Sequence, residues 1–282
     1  MQKKLQTVQT LLDALPFIKK FQNETFVIKY GGSAQIDENL KQKFAQDILL
    51  LYTVGIKPVV VHGGGKRITE ILSRLKIDTK FIEGQRVTTA EIMEIVEMVL
   101  SGDINKEIVS LLNNQGAKAI GISGKDANFM RARAKNFEKF GYTGVIEEID
   151  PSVVNKLLEE NFVPVIAPIA ASGELGHPGF NINADFAASK VAAALKAKKI
   201  IFLTDTPGVL DRDGRLISTL TKEKIELLKN EGTISGGMIP KVDACLEAVE
   251  HGVEKAHIID GRIEHSLLLE IFTSEGIGTQ VV

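Results

Sequence analysis

Short apolar runs alternate with amphipathic stretches along most of the chain. Continuous apolar segments at Phe26–Ile28, Pro58–Val61, Ala117–Ile122, Val163–Ile166, Lys199–Leu203 and Ala256–Ile259 predict buried strands. Helices are predicted between them at Asn39–Thr53, Arg67–Leu75, Glu91–Leu100 and Asp185–Leu195. In the third of these, Ile92, Ile95, Val96 and Val99 recur at helical spacing and form one apolar stripe. Strands that are apolar throughout, separated by helices, predict an α/β fold with a largely parallel sheet covered on both faces.

Ahead of the first strand, Leu5, Val8, Leu11, Leu12, Leu15 and Ile18 trace a further apolar stripe. It predicts an N-terminal amphipathic helix over Lys3–Lys20, which Pro16 is expected to kink or end. Such a helix either caps the core or docks on another subunit. No repeat or low-complexity tract interrupts the rest. The turn formers of Ala170–Gly179 mark the place where a joint between two lobes is expected.

Composition narrows the class. The 282 residues are 44% hydrophobic and 25% charged with a net charge of −2, an ordinary globular profile. Near-zero charge gives no electrostatic case for nucleic acid or an acidic membrane surface as a partner. The lone cysteine, Cys245, excludes an intrachain disulfide and fits a reducing compartment. The longest apolar run, Val163–Ala171, is far short of the roughly 20 residues a membrane helix needs. Met1–Phe21 carries lysines and polar residues throughout, unlike a signal peptide, so a cytoplasmic protein is expected.

The candidate chemistry lies where strands end in glycine. "VIKYGGS" (Val27–Ser33) runs a core strand into Lys29 and two glycines, and "VVVHGGGKRI" leads from a strand through Gly63–Gly65 into a helix. Strand, glycines and helix N-terminus together present free backbone N–H groups, which suits an anion. Three consecutive glycines exceed what a turn requires. In "FNINADFAA", Asn181, Asn183 and Asp185 alternate and point one way in an extended segment. Asp185 is expected near a helix start, where it would serve as an N-cap or join a polar constellation. In "ISGGMIPK", Lys241 sits in a first helical turn, unfavourable for the dipole unless an anion is near. Two lysines, an aspartate and exposed amides describe a site for an anionic group in transfer, as in phosphoryl transfer.

Other chemistries lack their signatures. Neither G-x-x-x-x-G-K-[ST] nor G-x-G-x-x-G occurs, and no G-x-S-x-G elbow appears. The histidines show no metal-ligand spacing. Of these, His62 alone, beside the triple glycine, is a candidate supporting residue.

"VIKYGGS", "VVVHGGGKRI", "EGQRVT", "NINADFAA", "LTDTPGVL" and "SGGMIPKV", in this order, resemble the amino acid kinase family from about Thr25 to the C-terminus. The resemblance implies one domain over the whole chain, a three-layer αβα sandwich with a largely parallel central sheet plus the N-terminal helix. An N-lobe for the acyl substrate is expected at Thr25–Leu175 and a C-lobe for ATP at Gly176–Val282. The implied reaction is ATP-dependent phosphorylation of the γ-carboxylate of N-acetyl-L-glutamate, in arginine biosynthesis. Magnesium is expected on the ATP phosphates, with no metal ligands from the protein.

Residue by residue, the resemblance assigns Lys29 and Lys241 to transition-state stabilisation and Asp185 to holding both lysines. Gly32, Gly64 and Gly65 would donate amides to phosphate or substrate oxygens. Arg86 would grip the substrate α-carboxylate through its bidentate fork, and Asn181 the acetamido group. Asp205, Thr206, Pro207, Gly208, Val209 and Leu210, with Thr233, Ile234 and Ser235, would contact the nucleotide.

The N-terminal helix is similar to that of arginine-inhibited members, which form hexamers as trimers of dimers. A homo-oligomer is therefore expected, with L-arginine as inhibitor near Lys19, His257, Glu275, Gly276 and Gly278. Phe17 stands where a tyrosine is expected. Some relatives bind a nitrogen-signalling partner protein, which makes one a candidate partner here. Two alternatives remain open at this point: a kinase of a homologous substrate such as N-acetyl-aminoadipate, since one methylene discriminates by only ~1–3 kcal/mol, and a non-catalytic amino-acid or nucleotide sensor.

Overall fold

An eight-stranded sheet forms the middle layer. In the computed structural model, the backbone of all residues and the side chains of all but Lys3 and Thr7 are described. The strands are β1 (Thr25–Tyr30), β2 (Lys57–His62), β3 (Ala119–Ser123), β4 (Val163–Ala167), β5 (Lys199–Thr204), β6 (Thr219–Leu220), β7 (Lys255–Asp260) and β8 (Thr279–Val281). Their spatial order is β6-β8-β7-β5-β1-β2-β4-β3. All pairs are parallel except β7 with β8.

The strands are apolar on both faces because helices cover both. Along β1, Phe26 and Ile28 enter one core while Val27 enters the other. The first core is closed by helices including α1 (Gln2–Phe21), α2 (Glu38–Thr53), α3 (Gly65–Arg74), α4 (Ala90–Glu97) and α5 (Asn105–Gln115). The second is closed by helices including α6 (Ser152–Glu159), α7 (Ala184–Ala194), α8 (Lys222–Asn230) and α9 (Met238–Glu250). A last helix, α10 (Ser266–Phe272), packs against α1. The result is the expected αβα sandwich.

Local sequence accounts for the helix starts. Asp37 accepts from Leu40 N, Thr89 from Ile92 N and Thr221 from Lys224 N, each as an N-cap. Gly116 ends α5 in the left-handed conformation (φ 104°). Between α4 and α5 the chain widens into a π-helical turn, Met98–Ile104, where the pattern predicted only a helix end.

The first helix has nearly the expected span, and Pro16 does not end it. It continues through Pro16 to Phe21, because a proline costs one backbone bond and the following turn is anchored by packing. Phe21 is buried against Phe26, ring centroids 5.2 Å apart, whereas Leu5, Val8, Leu11 and Leu12 are exposed. No described helix is long and apolar enough to cross a membrane.

The topology also sets the site. From β1 the chain moves to β2 on one side and later returns to β5 on the other. The strand order therefore switches at β1, and the crevice at the carboxyl ends of such strands is where open α/β sheets bind ligands. Lys29 lies there, in register with Val61 of β2 and Phe202 of β5.

Candidate functional site

Two ammonium groups meet one carboxylate at this crevice. Lys29 Nζ lies 3.0 Å from Asp185 Oδ1, and Lys241 Nζ donates to Oδ2 at 2.9 Å. Lys29 and Asp185 are both buried. Burial alone would raise the Asp185 pKa; the two lysines outweigh it and hold the carboxyl at about 2. The three groups come from β1, the first turn of α7 and the first turn of α9, so tertiary structure alone assembles them.

Asp185 is not the helix cap. That role falls to Asn183, whose Oδ1 accepts from Asp185 N at 2.9 Å and Phe186 N at 3.3 Å. The Asp185 carboxylate is thereby left for the lysines. Lys241, in turn, sits in a first turn that has no acidic residue of its own, and Asp185 supplies the missing charge.

The glycines of the first motif serve two separate needs. A Cβ on Gly31 would lie 2.9 Å from Lys29 Nζ, so this glycine leaves room for the ammonium group. Gly32 has φ +69°, and its Cβ would come within 2.5 Å of Asp205 Oδ1. Asp205 also accepts from Ser33 N at 2.6 Å, tying the loop after β5 to the loop after β1.

The triple glycine opens α3, which has no side-chain N-cap. Gly65 faces open space, whereas a Cβ on Gly64 would strike Ile104 Cδ1 and Leu100 Cδ2 at 2.5 Å. At Gly64 the need for glycine is therefore close packing against the π-helical turn. Both residues line a cavity of about 710 Å³ with Lys29, Gly32, Arg86, Asn181 and Asp185.

Arg86 is 6% exposed and has no ion-pair partner among the described residues. Its Nη1 donates to Thr79 Oγ1 at 2.7 Å, and Nη2 to Thr69 Oγ1 at 2.8 Å and to the Gly65 carbonyl at 3.0 Å. The guanidinium also stacks 4.6 Å from the Phe81 ring centroid. Burial lowers its pKa, so an unbalanced cation is held against the cavity wall. Asn181 Nδ2 donates to Thr88 Oγ1 at 3.1 Å, on the same wall. Thr69, Thr79 and Phe81 carried no local signal in the sequence; only the fold brings them to Arg86.

The segment Asp205–Leu210 follows β5, outside the cavity lining. Asp205, Thr206, Pro207 and Leu210 are exposed, whereas Gly208 and Val209 are buried. Gly208 takes φ +145° where a Cβ would meet Thr279 Oγ1 at 2.6 Å, and Val209 N donates to that hydroxyl at 2.9 Å. Thr233 is half-buried and Ser235 exposed around Ile234, whose side chain belongs to the core. Among the described residues, no group of three or more His, Cys, Asp and Glu is arranged to hold a metal ion.

A second polar cluster gathers around β7. His257 Nδ1 lies 2.6 Å from Glu270 Oε1, and Glu270 Oε2 accepts from Ile277 N and Gly278 N at 2.7 and 3.2 Å. Gly276 has φ +65°, its Cβ position 2.8 Å from Glu270 Oε2. Burial lowers the His257 pKa and pushes Lys199 down to about 8. Lys199 and Lys20 both approach the Phe21 ring at the end of α1. His257, Gly276 and Gly278 thus come together around Glu270, while Lys19 and Glu275 are exposed. Sequence reasoning missed Glu270, one acid among several in a C-terminal stretch without a motif.

The profile of the amino acid kinase family matches residues 24–260. A Nitratiruptor protein named acetylglutamate kinase is 83% identical over 282 residues, covering 100% of this chain and 99% of its own. The solved structure of N-acetylglutamate synthase from Neisseria gonorrhoeae, with coenzyme A and N-acetyl-glutamate, superposes with a TM-score of 0.87 at 26% identity. That likeness covers 98% of this chain and 63% of the synthase. Carbamate kinase from Giardia lamblia, bound to AMP-PNP, shares the fold at a TM-score of 0.70 and 18% identity, over 92% of this chain and 98% of that one.

Proposed function

This chain belongs to the amino acid kinase family, and on that footing we propose that it phosphorylates the γ-carboxylate of N-acetyl-L-glutamate with ATP. The product is N-acetyl-L-glutamyl 5-phosphate, and the setting is arginine biosynthesis. The observation that carries the reading is the pairing of Lys29 and Lys241 through Asp185, across a cavity from the unbalanced guanidinium of Arg86. Near-complete identity in length with a relative named for this activity supports the substrate.

The chemistry needs little from the protein beyond position and charge. A carboxylate with an ordinary pKa near about 4 is ionised at neutral pH, so no general base is required. The obstacle is repulsion between the substrate carboxylate and the γ-phosphate. Lys29 neutralises charge on the transferring group, and Lys241 on the departing ADP side. Asp185 fixes both ammonium groups, so their orientation is set before substrate arrives. Amides of Gly32, Gly64 and Gly65 add donors to phosphate and substrate oxygens. Arg86 takes the α-carboxylate and Asn181 the acetamido group, which points the γ-carboxylate at the phosphorus. Magnesium carried on the ATP phosphates supplies further charge neutralisation. The nucleotide rests on Asp205–Leu210 and Thr233–Ser235, giving an acyl-binding half at Thr25–Leu175 and an ATP half at Gly176–Val282.

The test is an ADP-release assay with Mg-ATP, comparing N-acetyl-L-glutamate with N-acetyl-L-aminoadipate. Preference for the shorter acid supports the proposal. Preference for the longer one moves the enzyme to another pathway, and turnover of neither makes the chain a sensor.

The cluster around Glu270 favours a second, regulatory reading. His257 Nε2 is buried without a hydrogen-bond partner among the described residues, while Nδ1 of the same ring meets Glu270, which also accepts from the amides of Ile277 and Gly278. L-arginine would bind there as a feedback inhibitor, with Lys19 and Glu275 at the rim. The exposed leucine stripe of α1 would be covered by a second copy, in a hexamer of three dimers. Initial rates unchanged by arginine would remove the regulatory reading and leave the catalytic one intact.

A further inference from the structure

Behind the Gly63–Gly65 turn lies a buried polar cluster that takes no part in the chemistry above. Asn105, 1% exposed at the start of α5, is its centre. Its Oδ1 receives Lys106 Nζ at 3.0 Å, a group that only donates. Its Nδ2 donates to the Val165 carbonyl at 2.9 Å, a group that only accepts. The orientation of the amide is thus fixed from both sides. Nδ2 also lies 3.2 Å from His62 Nε2, so that ring nitrogen must be the unprotonated acceptor.

The other end of the ring gives the same answer independently. His62 Nδ1 lies 2.9 Å from the Gly63 carbonyl, which requires a donor there. The ring is therefore the neutral tautomer with its proton on Nδ1. Complete burial keeps it neutral, lowering its pKa to about 4. The neighbouring strand is cut back to make room: a Cβ on Gly121 would lie 1.8 Å from Asn105 Oδ1.

Gly63 O takes a second bond, from Gln35 Nε2 at 3.1 Å. Both lone pairs of this carbonyl are then occupied. Because the peptide unit is planar and trans, the Gly64 N–H must point the opposite way from the Gly63 carbonyl. Among the described residues that N–H has no partner, and Gly64 lines the cavity. Rotating the peptide would break two hydrogen bonds at once.

We propose that His62 is a positioning residue for phosphoryl transfer: with Gln35 it locks the Gly63–Gly64 peptide so that the Gly64 amide is aimed at the transferring phosphoryl group. Asn105, itself oriented by Lys106, selects the tautomer that makes this possible. The role rests on the kinase reading given above.

The experiment compares full-length wild type with His62→Leu, which removes the donor, and His62→Asn, whose amide can still reach the Gly63 carbonyl. His62→Leu is expected to lower kcat roughly tenfold to a hundredfold, less than outright loss of such a donor. KM for both substrates should shift by less than about threefold, and His62→Asn should recover most of the turnover. Long-range nitrogen–proton NMR on histidine-labelled wild type should show one ring, absent from the His62→Asn spectrum, protonated on Nδ1 alone. An Nε2–H ring at His62 overturns the proposal even if His62→Leu does not fold. Equal kcat in wild type and His62→Leu overturns the role alone. A wild type that cannot phosphorylate acetylglutamate overturns the reading of the site and this role with it.

Discussion

Asn183 Oδ1 accepts the backbone N–H of Asp185 at 2.9 Å, so the residue that caps α7 is distinct from the one that meets the lysines. Replacing the cap should therefore act on both stability and catalysis. Asn183→Ala is expected to cost about 0.5–2 kcal/mol of unfolding free energy. It should also lower kcat, because the Asp185 backbone loses its anchor. Urea unfolding and steady-state kinetics check the two effects. A lower midpoint with unchanged kcat would mean that the ion pairs alone hold Asp185.

Asp185 also makes stability depend on acid. Its pKa of about 2 lies below the usual 3.8, because Lys29 and Lys241 outweigh the effect of burial. The folded carboxyl binds fewer protons than the unfolded one, so its contribution is complete above about pH 4 and lost as pH falls toward 2. The shift corresponds to about 2 kcal/mol. Unfolding curves of wild type should steepen in that window, and those of Asp185→Asn should not. Asp185→Asn should be the less stable protein at neutral pH, since it leaves two ammonium groups without their partner.

The lysines themselves should separate chemistry from binding. Lys241→Met and Lys29→Met are expected to lower kcat by roughly 10²–10³ while KM values stay within about threefold. Steady-state rates over both substrate concentrations measure this directly. Equal losses in kcat and in substrate affinity would count against transition-state roles for either residue.

Six of the eight sheet strands and the parallel α/β class could be read from the chain because those strands are continuous apolar runs separated by helical stretches, whereas the short strands β6 and β8 and the order of the strands in space could not. The lysine–carboxylate pairing was legible in kind, since a cation at a core strand end and another in a helical first turn both require an anion. What the sequence left open was which of Asn183 and Asp185 caps α7, since both residue types suit that position equally well. The need for glycine at Gly64 was hidden for a related reason. Leu100 and Ile104 lie on a π-helical turn whose geometry no local pattern announces, and they reach Gly64 only in the folded chain. Glu270 and the Thr69–Thr79 pair around Arg86 were invisible because ordinary residues became functional by long-range contact. Of the two outcomes expected at Pro16, ending the helix did not occur, since the turn after it is anchored by Phe21 against Phe26.

Arg86 offers the sharpest test of how the substrate is held. Its planar fork is already fixed on one side by Thr79, Thr69 and the Gly65 carbonyl, and Phe81 covers its face. An α-carboxylate arriving from the cavity would meet the remaining N–H groups in a geometry that lysine cannot reproduce. Arg86→Lys keeps the charge and removes the fork. Loss of one charge-assisted pair costs about 1.5–3 kcal/mol, so KM for N-acetyl-L-glutamate should rise roughly tenfold to a hundredfold. KM for ATP should stay unchanged, because the nucleotide loops lie beyond the cavity that Arg86 lines. Initial rates with each substrate varied in turn decide the matter. A rise confined to the KM for ATP would place Arg86 on the wrong substrate, and no rise in either would make it a structural cation held by its threonines.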